Sequence, residues 1–257
     1  MILGLGLGLG VNSGGGVRFT PKKISGLALW LDASDLATIT KDGSNYVSAW
    51  ADKSGKGFNV TQATGSAQPL WSANTISFDG SSDFLLSATG LDIMKNKAGG
   101  TIIAVGSIGS GTATEALFVH CTVNGLVGSR FALGIGTSIS NSVRVGGRRL
   151  DADAFDGTAA EMITYGVTYI MTGINDYANA KAYLYMNNVL KQTDDPFQTA
   201  GTTSNTTSDY IVLGSNVSAT LLVKCILKEV LIYEKVLSTT ELTRVNQYLS
   251  RKWGVTI

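Results

Sequence analysis

Residues Lys228–Gly254 read KEVLIYEKVLSTTELTRVNQYLSRKWG and carry the clearest structural signal in the chain. The apolar and β-branched run Leu222–Tyr233 predicts a strand. Ser238 and Glu241 then form a capping box, in which the serine caps a helix and the glutamate reaches back to it. Gly254 is a suitable C-terminal stop, and apolar residues share one helical face at Leu242, Val245, Leu249 and Trp253. We therefore expect one helix that covers an open face or edge of a β-sandwich.

Upstream of this stretch, strand-like runs are short, frequent and separated by turns of Gly, Ser, Asn and Asp. Turn signals at this spacing, without a rhythm of alternating strands and helices, predict a sandwich or barrel. The segment AYLYMNNVLKQ (Ala182–Gln192) predicts a hairpin, because Asn187 and Asn188 tolerate the positive φ of a two-residue type I′ turn. The other predicted strands are Leu27–Leu31, Tyr46–Trp50, Ile76–Phe78, Phe84–Leu86, Thr101–Val105, Ala116–His120, Arg130–Leu133, Val167–Met171, Ala180–Met186 and Tyr210–Leu213.

The composition narrows the class of protein. Of 257 residues, 44% are apolar and 15% are charged, which is enough apolar material for a substantial core. The net charge of +1 leaves no electrostatic footprint for nucleic acid, and no apolar run approaches the roughly 18–20 residues of a membrane span. Two cysteines, Cys121 and Cys225, do not make a disulfide framework and are expected to be buried thiols.

The N-terminus reads MILGLGLGLG, in which Leu3, Leu5, Leu7 and Leu9 alternate with glycine. A signal peptide is not expected, because this segment lacks an early basic residue and a compact apolar run. Period-two alternation places the four leucines on one face of an extended strand. Such an arm either packs on its own domain or adds a strand to a neighbouring subunit. Residues 1–23 are therefore interpreted as an anchoring arm and linker.

Four segments together resemble the laminin-G-like, concanavalin-A-like domains of bacteriophage structural proteins. The opening is carried by SGLALWLDASD (Ser25–Asp35), VSAWADKSGKG (Val47–Gly57) and ISFDGSSDFL (Ile76–Leu85). The closing strand and helix are carried by Lys228–Gly254, and the hairpin has Asn188 where the family usually has glycine. The resemblance covers roughly residues 24–255 and is weak across residues 109–164. It implies an antiparallel β-sandwich of the concanavalin-A-like jelly-roll type over residues 24–257.

Aromatic and acidic residues in the opening segments have physical interpretations of their own. Trp30, Trp50 and Phe78 lie in apolar strand contexts and are expected in the core. Carboxylates at strand ends usually accept hydrogen bonds from turn amides, and this role is expected of Asp32, Asp52 and Asp79, with a ligand or calcium role as the alternative.

Candidate catalytic and metal-binding residues are few. Glycanases on this fold need two carboxylates across the scissile bond, and their signature Glu-x-Asp-x-x-Glu is absent. Asp151, Asp153 and Asp156 form the nearest acidic cluster, and strand alternation would place the first two on one face. The cluster partly resembles a calcium loop but lacks the bidentate glutamate. It is expected to be a solvated loop, with Ca²⁺ the one candidate cofactor; the single histidine, His120, is expected in the core.

A sugar site requires an exposed aromatic platform beside polar hydrogen-bonding groups. Trp71 is the first candidate, since it lies in the polar stretch SAQPLWSAN with Gln68 and Asn74 nearby. Tyr46 and Tyr177 are weaker candidates, and ordinary packing is the alternative for each aromatic residue.

These features lead to one functional hypothesis with alternatives. The chain is interpreted as a non-enzymatic virion structural protein, assembled in the host cytoplasm and anchored by its N-terminal arm to other capsid or tail proteins. The sandwich would be displayed on the particle as a homo-oligomeric decoration or fibre module. The alternatives are a carbohydrate-binding receptor-recognition domain of a tail fibre, which would recognise host-surface glycans, and, disfavoured, an endoglycanase.

Overall fold

A computed structural model describes residues 19–88, 91–112, 116–123, 130–136, 141–158, 161–206, 209–216 and 218–257. The leucines of the N-terminal arm lie outside the described residues. The strands are β1 (Leu27–Asp32), β2 (Ile39–Lys41), β3 (Val47–Trp50), β4 (Val60–Thr61), β5 (Leu70–Ser72), β6 (Thr75–Asp79), β7 (Leu85–Ser87), β8 (Gly100–Ile108), β9 (Leu117–Val123), β10 (Phe131–Ile135), β11 (Ser142–Gly147), β12 (Asp156–Gly157), β13 (Glu161–Met162), β14 (Tyr169–Asp176), β15 (Lys181–Met186), β16 (Val189–Asp194), β17 (Asp209–Leu213) and β18 (Lys224–Tyr233). Within these ranges one α-helix, α1, spans Thr239–Trp253.

The strands form two antiparallel sheets, which confirms the predicted all-β sandwich. Sheet I has the order β16-β15-β14-β8-β18-β6-β5, and β1 also pairs with β18. Sheet II has the order β12-β11-β10-β9-β17-β7-β4-β3-β2, and β13 pairs with β11. The inner faces of the two sheets meet in a core that contains Trp50 and Phe78, as expected. Trp30 is also buried, but it lies on the outer side of sheet I.

The first part of β8 is covered on both faces of sheet I, and the strand is buried along its whole length. Ile102 and Ala104 face the sandwich core, whereas Ile103 and Val105 belong to a second apolar cluster on the outer face. The second cluster includes Leu242, Val245 and Leu249 of α1. A strand covered on both faces is apolar throughout rather than alternating, which matches the TIIAV run.

The predicted helix and hairpin are confirmed in their local details. The Ser238 side chain accepts a hydrogen bond from the Glu241 backbone, the Glu241 side chain caps in return, and Gly254 ends the helix at φ 68°. Asn187 and Asn188 have φ values of 49° and 65° between β15 and β16, as a type I′ turn requires. In the part of the chain that the structure describes, no helix is both long and apolar enough to cross a membrane.

A buried carboxylate holds the end of α1 to the sheet. Glu229 of β18 is fully buried and lies beneath the helix. Its Oε1 accepts hydrogen bonds of 2.8 Å from Trp30 Nε1 and 2.8 Å from Tyr248 Oη. Its Oε2 accepts a 2.6 Å bond from Trp253 Nε1 and pairs with Lys252 Nζ at 2.8 Å. All four of these donors belong to β1 or α1, so the charge fixes both elements on β18.

Candidate functional site

Alternation along β5 sends neighbouring side chains to opposite faces of sheet I. Trp71 packs against the sandwich core, and its Nε1 donates a 3.0 Å hydrogen bond to the backbone oxygen of Ala33. Leu70 points the other way and is 39% exposed. The predicted platform residue Trp71 therefore serves mainly in packing, and Leu70 presents the outward apolar surface of this strand.

Five outward-facing residues form a continuous row across sheet I, which we call the floor row. An isolated bridge pairs Tyr46 with Leu70, and Leu70 pairs with Ser77 of β6. Ser77 pairs with Ile226 of β18, and Ile226 pairs with Ser107 of β8. Because neighbouring strands lie about 4.8 Å apart, the four steps of the row span about 19 Å. Apolar and hydroxyl side chains alternate along its last four positions.

The floor row lies at the base of an open groove of about 710 Å³, which we call the outer groove. The position of the groove follows from the alternation of side chains along β8. Ile103 and Val105 face outward into the apolar cluster beneath α1, and Ser107 is the next residue on the same face, where it lines the groove. The helix covers one part of the outer face, and the groove is the part beyond it. A volume between about 300 and 1,000 Å³ is typical of pockets that bind drug-sized ligands.

A charged pair borders the floor row. Asp79 and Lys224 are direct cross-strand partners, and both side chains are exposed. Partial burial raises the pKa of the Asp79 carboxyl, but hydrogen bonds outweigh this effect and hold its pKa well below its usual range. The backbone donors lie 2.8, 2.9 and 3.1 Å from its Oδ1 and belong to Ser81, Ser82 and Asp83. The turn-fixing role expected of Asp79 is confirmed.

The pKa of the second acid of the groove, Asp83, is shifted in the opposite direction. Asp83 is only 8% exposed, and its Oδ2 accepts a 3.0 Å hydrogen bond from the backbone of Asp79. Burial raises the pKa of Asp83 to about 6, and the negative charge of Asp79 acts in the same direction. The groove therefore holds one carboxylate that stays ionised and one that gains a proton just below neutral pH.

Asp52 confirms the turn-fixing expectation elsewhere in the sandwich. Its Oδ1 accepts hydrogen bonds from the backbone of Trp30 at 2.9 Å and of Ser54 at 2.7 Å. Asp32 accepts a 3.1 Å bond from the backbone of Ser34 and also pairs with Lys53 and Lys252. Both acids thus stabilise turns at strand ends, and Asp32 also contacts α1 through Lys252.

The structure separates the predicted sugar-binding residues. Tyr46, which is 44% exposed, and Gln68 both line the outer groove. Asn74 is exposed in the turn between β5 and β6, at φ 64°, and does not line the groove. Tyr177 is fully buried, donates a hydrogen bond to the backbone oxygen of Arg130, and stacks near Phe197. Tyr177 was therefore wrongly predicted as an exposed aromatic platform.

The acidic cluster also differs from its prediction. Asp151 and Asp153 lie in a turn rather than on one face of a strand, and Asp156 begins the short strand β12. Asp151 pairs with the buried guanidinium of Arg130, and Asp153 Oδ2 accepts a 2.8 Å bond from the backbone of Leu150. Within the described ranges, no group of three or more His, Cys, Asp or Glu side chains is placed to hold a metal ion. The three aspartates are therefore not grouped as the alternative calcium site would require.

His120 and the two cysteines lie in the interior of the domain. His120 lies in β9, is 2% exposed, and burial lowers its pKa to about 3, so that it is neutral. Cys121 and Cys225 are buried thiols that are not joined in a disulfide, as expected. Burial raises the pKa of Cys225, which keeps this thiol protonated although it lies against the outer groove.

Most of the floor row was not anticipated from the sequence. Ser77 and Ile226 are outward positions of predicted strands, and alternation alone could have marked them as exposed. Their alignment with Leu70 and Ser107 depends on pairings between strands that are distant in the chain. No short sequence motif indicates the register between strands that are so far apart in the chain.

Comparisons with known proteins give a fold but no family. No family model and no curated protein matches the chain. Among solved structures, Trypanosoma rangeli sialidase matches with a TM-score of 0.59 at 12% identity, over 90% of this chain and 33% of the sialidase chain. The binding domain of botulinum neurotoxin serotype D matches with a TM-score of 0.55 at 13% identity, over 87% of this chain and 52% of that chain.

The receptor-binding domain of a botulinum neurotoxin C/D mosaic serotype gives the same TM-score, 0.55, at 13% identity, over 87% of this chain and 51% of that chain. The chain thus spans about a third of the sialidase and about half of each toxin domain. Sequence identities this low indicate a shared fold and nothing about function, because one fold can support many functions. The chain shares the antiparallel β-sandwich architecture of the matched parts of these solved structures.

Proposed function

We propose that this domain is a carbohydrate-binding module and that its saccharide site is the outer groove. The observation that carries the proposal is the floor row, in which Tyr46 is followed by Leu70 and Ile226 alternating with the hydroxyls of Ser77 and Ser107. Sugars present both apolar C–H faces and hydroxyl groups, so they match a surface that combines aromatic and apolar contacts with a few polar groups. Asp79, Asp83 and Gln68 supply hydrogen-bonding groups at the margins of the groove.

The sharpest test is to fill the groove without disturbing the fold. Gly65 lines the groove, has a φ outside the left-handed region, and would place a Cβ with no heavy atom within 4 Å. Gly65→Leu should abolish binding to a broad glycan array while leaving the urea midpoint of unfolding unchanged. Gly43 has the same open surroundings but does not line the groove, so Gly43→Leu is the matched control. A wild-type protein that binds nothing on the array, or equal binding by Gly65→Leu, would overturn the proposal.

We propose binding without turnover. Glycoside hydrolysis needs two carboxyl groups about 5–10 Å apart on either side of the scissile bond, one of them free to act as nucleophile or base. In the outer groove, both oxygens of Asp79 accept hydrogen bonds within their own turn. Release of reducing sugar from polysaccharides by the wild type, lost in Asp83→Asn, would contradict this proposal.

A second proposal concerns where the module works, and the family resemblance at both ends of the domain supports it. We propose that the chain is a bacteriophage virion protein, in which the Leu-Gly arm anchors the sandwich to capsid or tail proteins and copies of the chain associate. The groove would then face host-surface glycans. Deletion of residues 1–16 should abolish incorporation into particles while the domain still folds, and particles that retain the truncated chain would refute the anchor.

A further inference from the structure

The floor row runs across the strands of sheet I rather than along them. Its five positions come from β8, β18, β6, β5 and the segment that bridges to β5, so each step crosses one strand spacing. Successive positions are therefore about 4.8 Å apart. A pyranose ring with its glycosidic bond extends roughly as far as one such spacing. A chain of sugars laid along the row would thus meet one new side chain at nearly every unit.

The chemical character of the row also repeats. Leu70 and Ile226 offer apolar surface, and the hydroxyls of Ser77 and Ser107 lie between and beyond them. Tyr46 adds an exposed aromatic ring at the outer end of the row. A repeating surface fits a repeating ligand, whereas a site for one terminal sugar would concentrate its polar groups around a single point.

The charges of the groove favour an uncharged ligand. Asp79 and Asp83 supply two carboxyl groups, and Lys224 supplies one ammonium group. Above the pKa of Asp83, which is about 6, acidic charge is in excess. Like charges disfavour close approach, so an acidic sugar would meet net repulsion in this groove.

We infer that the outer groove binds a linear, uncharged polysaccharide lying across the strands, with about four sugar units along the floor row. The inference rests on the proposed carbohydrate-binding function and adds the class and length of the ligand. It also makes the site one for internal stretches of a polymer rather than for a chain end.

The test is a chain-length series measured by isothermal titration calorimetry at pH 7.5. The probes are uncharged oligosaccharides of glucose, xylose and N-acetylglucosamine, each from one to six units, with oligogalacturonates as the acidic counterpart. For the best-binding uncharged series, Kd should fall at least about tenfold between one and four units and then level off. Tyr46→Ala should move this plateau to a shorter chain, because it removes the outermost position of the row, and Gly43→Leu should leave it unchanged.

The outcomes separate the two claims. Two results overturn the present inference but leave the proposed binding function intact, provided that the protein binds on the glycan array. One is a Kd for a monosaccharide as low as the Kd for the tetramer, and the other is a lower Kd for oligogalacturonate than for every uncharged probe. A plateau that does not move in Tyr46→Ala also overturns it. Absence of any glycan binding removes the proposed function and this inference together.

Discussion

Replacement of the buried carboxylate beneath α1 gives the most direct test of how the helix is held. Glu229→Gln keeps the shape of the side chain but turns one acceptor oxygen into an NH₂ donor. In the wild type both oxygens face donors only, with Trp30 and Tyr248 on one side and Trp253 and Lys252 on the other. Whichever way the amide turns, the indole N–H of either Trp30 or Trp253 meets a donor instead of an acceptor.

The magnitude follows from these contacts. A buried donor left without an acceptor costs about 1–3 kcal/mol, and breaking a buried ion pair costs about 3–5 kcal/mol. Lys252 keeps its 2.7 Å contact with Asp32, so the ion-pair loss is only partial. We expect Glu229→Gln to lower the free energy of unfolding by about 3 kcal/mol.

Urea denaturation followed by tryptophan fluorescence measures the change, provided that the m value is unchanged. Asp92→Asn is the matched control, because Asp92 is 68% exposed and its pair with Lys95 is long at 3.5 Å, so its loss should cost less than about 1 kcal/mol. Trp253→Phe in both backgrounds should show coupling, since it removes an indole donor whose acceptor is Oε2 of Glu229. A loss below about 1 kcal/mol in Glu229→Gln, or additive effects in the double variant, would refute the reasoning.

Three further predictions concern the cap, the hairpin and the groove acid. Ser238→Ala should lower the free energy of unfolding by about 1 kcal/mol in urea titrations, and no loss would show that Glu241 caps α1 alone. Asn188→Gly should raise the thermal midpoint slightly, because Asn188 has φ 65° and glycine adopts this conformation without a steric cost; a lower midpoint would contradict the type I′ assignment. Burial raises the pKa of Asp83 from 3.8 to about 6, so its contribution to stability is complete below about pH 4 and is lost as the pH rises through about 6. Urea titrations between pH 4 and 7 should therefore show a steeper fall in the unfolding free energy for the wild type than for Asp83→Asn, and parallel curves would show that Asp83 does not titrate in this range.

Features set by a few neighbouring residues could be predicted from the sequence. The capping box at Ser238, the stop at Gly254 and the turn at Asn187 and Asn188 depend on local backbone chemistry, and all three are confirmed. The longer strands could mostly be placed for the same reason, but β11, β12 and β13 were missed in the segment where the resemblance is weak. The short strands β2, β4 and β5 were missed as well.

Features set by tertiary pairing could not be predicted in the same way. Trp71 was chosen for its polar neighbours, but the phase of β5 turns it inward and exposes Leu70 instead. Tyr177 follows a strand whose end is covered by Phe197, which no nearby residue signals. The pairing of β18 with β6 places Lys224 opposite Asp79, although the two residues are 145 positions apart in the chain (224 − 79). No residues near either one in the sequence could have indicated this charged pair at the border of the groove.

The position of β18 in sheet I has a consequence for the order in which the domain forms. This strand is made late in the domain, yet it pairs with β1, β6 and β8, which emerge much earlier from the ribosome. Until Lys224–Tyr233 is available, β1 and β6 lack the neighbour that joins them to the rest of the sheet. Contacts between distant segments slow folding. We therefore expect the nascent chain to remain without a completed sheet for most of its synthesis, and ribosome-bound chains that stop before Lys224 to be digested by protease where longer chains survive.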